Sequence, residues 1–202
     1  MTRYAKLLLG LGLFGTGLWL GLQAELGVGP WDVLHGGLAE RLGTPFGRTS
    51  IAVGLVVFAI AVAARVRAGP GTLLNVLVIG AVIDLLLATG LLADLGDAGP
   101  VLRTAVVLLG IALVAVGSAL YLGAHLGPGP RDGLMVAISG RTGWSVGRAR
   151  GTLEVGVLVV GAALGGPVGP GTVAFALLIG PAVQVAFGLL RQTPVPSERE
   201  AA

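Results

Sequence analysis

From Gly27 to Gly43 the chain reads GVGPWDVLHGGLAERLG. This stretch is too short and too polar for an ordinary membrane span, yet it sits between long apolar runs. It also occurs twice. From Gly127 to Gly143 the chain reads GPGPRDGLMVAISGRTG. Gly29/Gly129, Pro30/Pro130, Asp32/Asp132, Leu34/Leu134, Arg41/Arg141 and Gly43/Gly143 correspond at a constant offset. Sliding residues 1–90 along residues 101–190 without a gap gives 29 identities. Many fall on Gly, Pro, Asp and Arg, which shared apolar composition does not produce. Self-similarity at a fixed offset reports architecture, here two repeats of about 100 residues. The sequence predicts an all-α integral membrane protein, an internally duplicated helical bundle. Residues 1–100 are the first repeat, 101–190 the second, and 191–202 a polar cytoplasmic tail with two prolines that is expected to be disordered.

The charge content supports this class. Only 11% of the 202 residues are charged, against roughly 25% in soluble domains. Mean hydropathy is +0.93. The 36 glycines have no collagen period and lie within apolar runs, as in membrane helices that pack closely. The pI of 10.2 does not indicate nucleic acid. The 13 basic residues are scattered at the ends of apolar runs and form no patch interleaved with aromatics. There is no Cys and there are two His. This excludes disulfides, thiol nucleophiles and Cys-ligated metals, and no cofactor or metal is expected. GVGP and GPGT lack the GxxxxGK[ST] phosphate-loop pattern, and no Ser–His–Asp set can be argued, so an enzyme is not expected. The N-terminal run Leu7 to Leu22 is long for a signal peptide, and its counterpart Arg103 to Leu126 is internal. Residues 1–26 are therefore read as a retained helix.

Each repeat divides into four pieces. The first is Tyr4 to Leu26, mirrored by Thr104 to Leu126, with Gly10/Gly110 and Gly17/Gly117 on one helix face. The second is the short stretch above. Its Pro suits a first helical turn, its Asp complements the exposed N–H groups, and Trp31, Leu34, Leu38 and Leu42 recur at helical spacing as an apolar face. Roughly 13 residues at 1.5 Å each reach about 20 Å, short of the ~30 Å hydrocarbon core. The third piece is Thr49 to Ala64, mirrored by Ala149 to Leu164. The fourth opens with the helix break Gly69-Pro70-Gly71, repeated as Gly169-Pro170-Gly171, and Thr72/Thr172 can cap the next helix. It ends near Leu92 in one copy and Leu190 in the other, the first continuing into the acidic loop Asp94 to Gly99.

GVGPWDVLHGGLAERLG, then Gly47, then GPGTLLNVLVIGAVID, resembles the YczE-type branch of the YczE/YyaS/YitT bacterial membrane proteins over nearly the whole chain. The resemblance implies a small multi-pass protein of the bacterial cytoplasmic membrane. That family is largely uncharacterised and supplies no catalytic residues. In the second repeat Trp31 becomes Arg131, Asn75 becomes Phe175 and Asp84 becomes Gln184, so any site is asymmetric.

Two topologies fit. If the short helix stays on one side, each repeat crosses three times, the repeats are inverted, and six transmembrane helices accompany two short re-entrant or interfacial ones. If it crosses, there are eight spans and parallel repeats. The six-span topology puts Arg41, Arg48 and Arg103 outside; the eight-span one puts Arg65, Arg67 and Arg131 outside. Either way the basic residues place the N-terminus in the cytoplasm without choosing between the two. The length and polarity of the short helix favour six.

Ionisable residues within spans cost ~2.5–3.5 kcal/mol each, so they face a cavity or a partner. The candidates for a solute or ion path are Asp32, Asp132, Asn75, Asp84, Glu154 and Gln184. Asp32 and Asp132 come just after the breaks Gly29-Pro30 and Gly129-Pro130, the kind of interrupted helix from which inverted-repeat transporters build their sites. Alternatively each Asp caps its helix at a membrane surface. Asn75 and Asp84 lie on opposite faces of one helix, Asn75 suiting an interhelical hydrogen bond. Glu154 stands one turn from Arg150 and can pair with it. His35 is expected at the interface, and Glu25 and His125 at the headgroups. A small transporter or channel-like protein is the leading expectation. An accessory or scaffold protein with a membrane partner is the alternative, and the chain's size suggests a homodimer.

Overall fold

The computed structural model describes residues 2–65 and 69–192. Arg67 and most of the expected tail lie outside the described residues. Among the described residues eight α-helices form: α1 Arg3–Gln23, α2 Pro30–Leu42, α3 Phe46–Ala63, α4 Pro70–Ala88, α5 Pro100–Leu122, α6 Pro130–Thr142, α7 Val146–Ala163 and α8 Pro170–Leu189. A 3-10 turn, Ala93–Asp97, occupies the acidic loop. No strand occurs among the described residues.

Local chemistry sets these boundaries. Pro occupies the first helical position of α2, α4, α5, α6 and α8, where its missing N–H would have no partner anyway. Gly43 and Gly143 end α2 and α6 with φ of 63° and 71°, a left-handed conformation that side chains disfavour. Thr72 and Thr172 each accept a hydrogen bond from the backbone N–H of Gly69 and Gly169, at 3.2 Å in both places. α3 and α7 begin three residues before the sequence placed them, at Phe46 and Val146.

The tightest packing is α1 against α5. A Cβ on Gly17 would sit 2.5 Å from the Gly110 carbonyl oxygen, and one on Gly117 would sit 2.6 Å from that of Gly10. Because 10 meets 117 and 17 meets 110, the two helices run antiparallel. Only glycine permits this backbone approach. Leu7, Leu11, Leu18 and Val114 bury themselves beside the seam. α4 runs with α1: Gly15 faces Ile79 and Val82, and the Gln23 amide donates to the Leu91 carbonyl oxygen at 2.6 Å. α3 runs against α4, with Gly47 on Gly80 and Gly54 on Val76.

The loop leading into each short helix is tied to the opposite half of the chain. Gly171 N–H donates to Leu26 O at 2.6 Å, and Gly71 N–H donates to Leu126 O at 2.8 Å. These breaks therefore hydrogen-bond backbone groups that the helix ends leave open.

The apolar spacing of α2 does not mark its buried face. The buried residues are Pro30, Asp32, Val33, His35, Gly37 and Ala39, while Leu42 is 62% exposed. In lipid, apolar side chains cover the outside and polar or small ones turn inward. Of the six long helices expected to cross, α1, α3, α4, α5 and α8 are long and apolar enough. The sixth, α7, carries Arg148, Arg150 and Glu154.

The seam gives a direct test. Gly17→Leu should destabilise the folded protein by roughly 1–3 kcal/mol through overpacking. Gly12→Leu, on a face with nothing within 4 Å, should leave it unchanged. Unfolding in detergent, monitored by circular dichroism, compares the two.

Candidate functional site

α2 and α6 meet start to start. The Arg131 guanidinium carbon lies 4.7 Å from the centre of the Trp31 ring, a cation–π contact between equivalent positions of the two halves. Around that contact is a cavity of about 180 Å³. Phe14, Tyr121 and Phe175 wall it, and Asp32, Asn75, Arg131, Asp132, Arg150 and Glu154 supply its charged and amide groups.

Asp32 sits in the first turn of α2 with 3% of its surface exposed. Its Oδ1 has no hydrogen-bond partner and lies 3.4 Å from Nδ1 of His35. His35, expected at the membrane interface, is instead 1% exposed and meets the Phe46 ring edge-on at 5.9 Å. Helical spacing explains the difference: residues three apart share a face, so His35 turns inward with Asp32. Asp132 accepts a hydrogen bond from the Tyr121 hydroxyl at 3.3 Å. Neither α2 nor α6 has a side-chain cap at its start. Asp32 and Asp132 thus stand at the cavity rather than closing a helix end at a surface.

The remaining candidates separate. Asn75 lies at the start of α6, its Oδ1 3.4 Å from where a Gly129 Cβ would be. Its counterpart Phe175 lies likewise against Gly29 at the start of α2. One end of the site is therefore amide-lined and the other aromatic. Glu154 lines the cavity and also pairs with Arg150 at 2.8 Å, so the ion pair and the site are one feature. Asp84 is not in the cavity. Its carboxylate accepts from Gly47 N–H at 2.6 Å and Arg48 N–H at 3.0 Å, where negative charge complements the start of α3. Gln184 is exposed on α8, away from the cavity. Glu25 is exposed and His125 half-buried, each with a left-handed backbone. No cluster of three or more His, Asp and Glu suited to a metal occurs among the described residues.

Sequence reasoning passed over Arg131, Tyr121 and Arg150. Arg131 carried a signal, a charge directly after the second Gly-Pro break. Tyr121 carried none, because one tyrosine in an apolar run reads as packing.

The halves differ at one seam. Gly47 and Gly80 pack on each other, and Gly80 also meets Ile51. Their counterparts Gly147, Gly180 and Gly151 have nothing within 4 Å among the described residues. α3 is thus closed on α4, and α7 stands apart from α8. Arg150 and Glu154, on α7, line the cavity with side chains 49% and 31% exposed.

Residues 1–187 match the family of unknown function DUF6198. An uncharacterised protein of Haemophilus influenzae is 39% identical over 96% of this chain and 87% of its own length. The uncharacterised membrane protein YczE of Bacillus subtilis is 35% identical over 88% of this chain and 82% of its own. No solved structure matches significantly.

Removing the Asp84 clasp should lower stability by about 1 kcal/mol, the usual cost of a lost helix cap, while Gln184→Ala should have no effect. Thermal unfolding of Asp84→Ala and Gln184→Ala in detergent measures both.

Proposed function

The chain belongs to the YczE-like membrane proteins of the family of unknown function DUF6198, and we propose that it is a small transporter or channel-like protein whose solute or ion passes through the cavity where α2 and α6 meet. One observation carries this reading. Five ionisable side chains, Asp32, Arg131, Asp132, Arg150 and Glu154, converge on one cavity of a mostly apolar bundle. Charges inside a membrane are costly, and those that persist line paths or pair with a ligand. Three acids and two bases give a path that binds charge of either sign without holding it too firmly to release.

The fold we propose around it is an inverted duplication with six spans and two re-entrant helices. The antiparallel α1/α5 seam supports this over eight spans with parallel repeats, in which α1 and α5 would run the same way. The contact between positions 31 and 131 supports an axis that places both short-helix starts near the midplane. Charged residues on α7 fit a span that faces a water-filled opening rather than lipid. The N-terminus is assigned to the cytoplasm of the bacterial cell on the distribution of Arg and Lys. The closed α3/α4 pair and the open α7/α8 pair suggest a cycle in which the halves exchange these arrangements.

The glycines left open at 147, 151 and 180 favour a second reading, an accessory protein or homodimer that covers α7 and α8 with another membrane helix. Recovery of a stoichiometric partner on purification would favour it.

Proteoliposomes loaded with a small-solute extract of bacterial cells test the transporter reading. The protein should speed the efflux of one solute class, and Asp32→Asn and Asp132→Asn should abolish that while inserting normally. Efflux equal to that of empty vesicles, or unaltered in both variants, would contradict the reading.

A further inference from the structure

The polar groups of the α2 start are unusually poorly satisfied. Asp32 Oδ1, His35 Nδ1 and His35 Nε2 are all buried, and none has a hydrogen-bond partner among the described residues. Buried polar groups are normally paired, so each exception calls for a ligand, a water or a proton. Here the geometry is specific. Oδ1 and Nδ1 lie 3.4 Å apart, with side chains 4% and 1% exposed, close enough to interact but not aligned as a hydrogen bond. A carboxylate and an imidazole lone pair at that separation repel. Adding a second ring proton to the neutral imidazole gives an imidazolium with N–H on both nitrogens, which the adjacent carboxylate attracts and, after a small rotation of the ring, holds by a charge-assisted hydrogen bond.

We propose that Asp32 and His35 form a proton-binding site in the cavity wall. The site takes up one proton on the imidazole, giving an imidazolium held by the carboxylate, and releases it as the neutral imidazole. Asp32 is the member that lines the cavity, so protons reach the pair from there. His35 lies behind it, packed on Phe46.

The charged groups around the pair fit a proton that comes and goes. Arg131, from α6, is the cation that acts on both members. Asp132 from α6, with Arg150 and Glu154 from α7, shares the cavity with Asp32. α3 presents Phe46, and α8 presents Phe175 against Gly29, neither of which titrates. The site is built in one half only. The positions equivalent to Asp32 and His35 are Asp132 and Met135, and Asp132 is already hydrogen-bonded to Tyr121.

This inference deepens the transporter reading by naming the ion, and its test does not depend on the solute. The chain has two histidines, so His125→Asn in the full chain leaves one. With ¹⁵N-labelled histidine and the protein in lipid nanodiscs, the His35 ring nitrogens should titrate once between about pH 4 and 9. Asp32→Asn should shift that midpoint by more than about one unit, and Asp132→Asn by less. If Asp32→Asn does not fold, Asp32→Glu should shift the midpoint as well, because it alters the separation from Nδ1. A flat response across this range, or a midpoint unmoved by whichever Asp32 variant folds, would overturn the proton site. A titrating, Asp32-dependent His35 together with no solute efflux would leave the proton site standing and remove the transporter reading alone.

Discussion

Backbone contact between α1 and α5 is the constraint on which the rest of the fold depends. Lipid offers helices no hydrophobic reason to associate, so packing must supply the attraction. Gly10, Gly17, Gly110 and Gly117 bring the two helices within reach of each other's carbonyl oxygens. The contact is reciprocal, 10 with 117 and 17 with 110, and so it fixes direction as well as proximity. Once α1 and α5 are antiparallel, the loops after them lie at opposite ends of the bundle. The backbone bonds from Gly171 to Leu26 and from Gly71 to Leu126 then tie each short helix to the other half. The cavity is where those two arrangements meet.

Within this scaffold the polar residues divide by the work their surroundings allow. Asp84 satisfies two N–H groups at the start of α3, and it draws α3 onto α4. Gln184, at the matching place on α8, makes no such clasp, and the Gly-lined seam beside it stays open. The difference between Asp84 and Gln184 thus accompanies a difference in packing. The same asymmetry reaches the cavity, where Trp31 meets Arg131, and Asn75 stands opposite Phe175 across the site.

Much of this was legible in the sequence. The helix breaks at Pro30, Pro70, Pro130 and Pro170 begin α2, α4, α6 and α8, because proline and glycine act locally. Asp32, Asp132, Asn75 and Glu154 came forward as polar residues in apolar surroundings, and all four line the cavity. The illegible part depends on tertiary packing. The apolar stripe of α2 does not say which face turns inward, since in lipid apolar side chains can cover the outside. The sequence suggests an interfacial place for His35, because nothing local shows that its helix turns that face inward. Asp84 and Asn75 share a helix and a polar character, and only the neighbouring α3 and α6 decide which becomes a cap and which lines the cavity.

Inversion of the two halves is the central claim, and equivalent residues test it most directly. With no native Cys, Thr44→Cys and Trp144→Cys place single thiols after α2 and after α6, at exposed positions related by the repeat offset. Each variant is treated on intact cells with a membrane-impermeant thiol reagent, and again after permeabilisation. An inverted pair predicts that one position, Thr44 for a cytoplasmic N-terminus, labels on intact cells and the other only after permeabilisation. Labelling of both positions from the same side would mean that the halves are parallel, and the account of a midplane site between two re-entrant helices would fall with it.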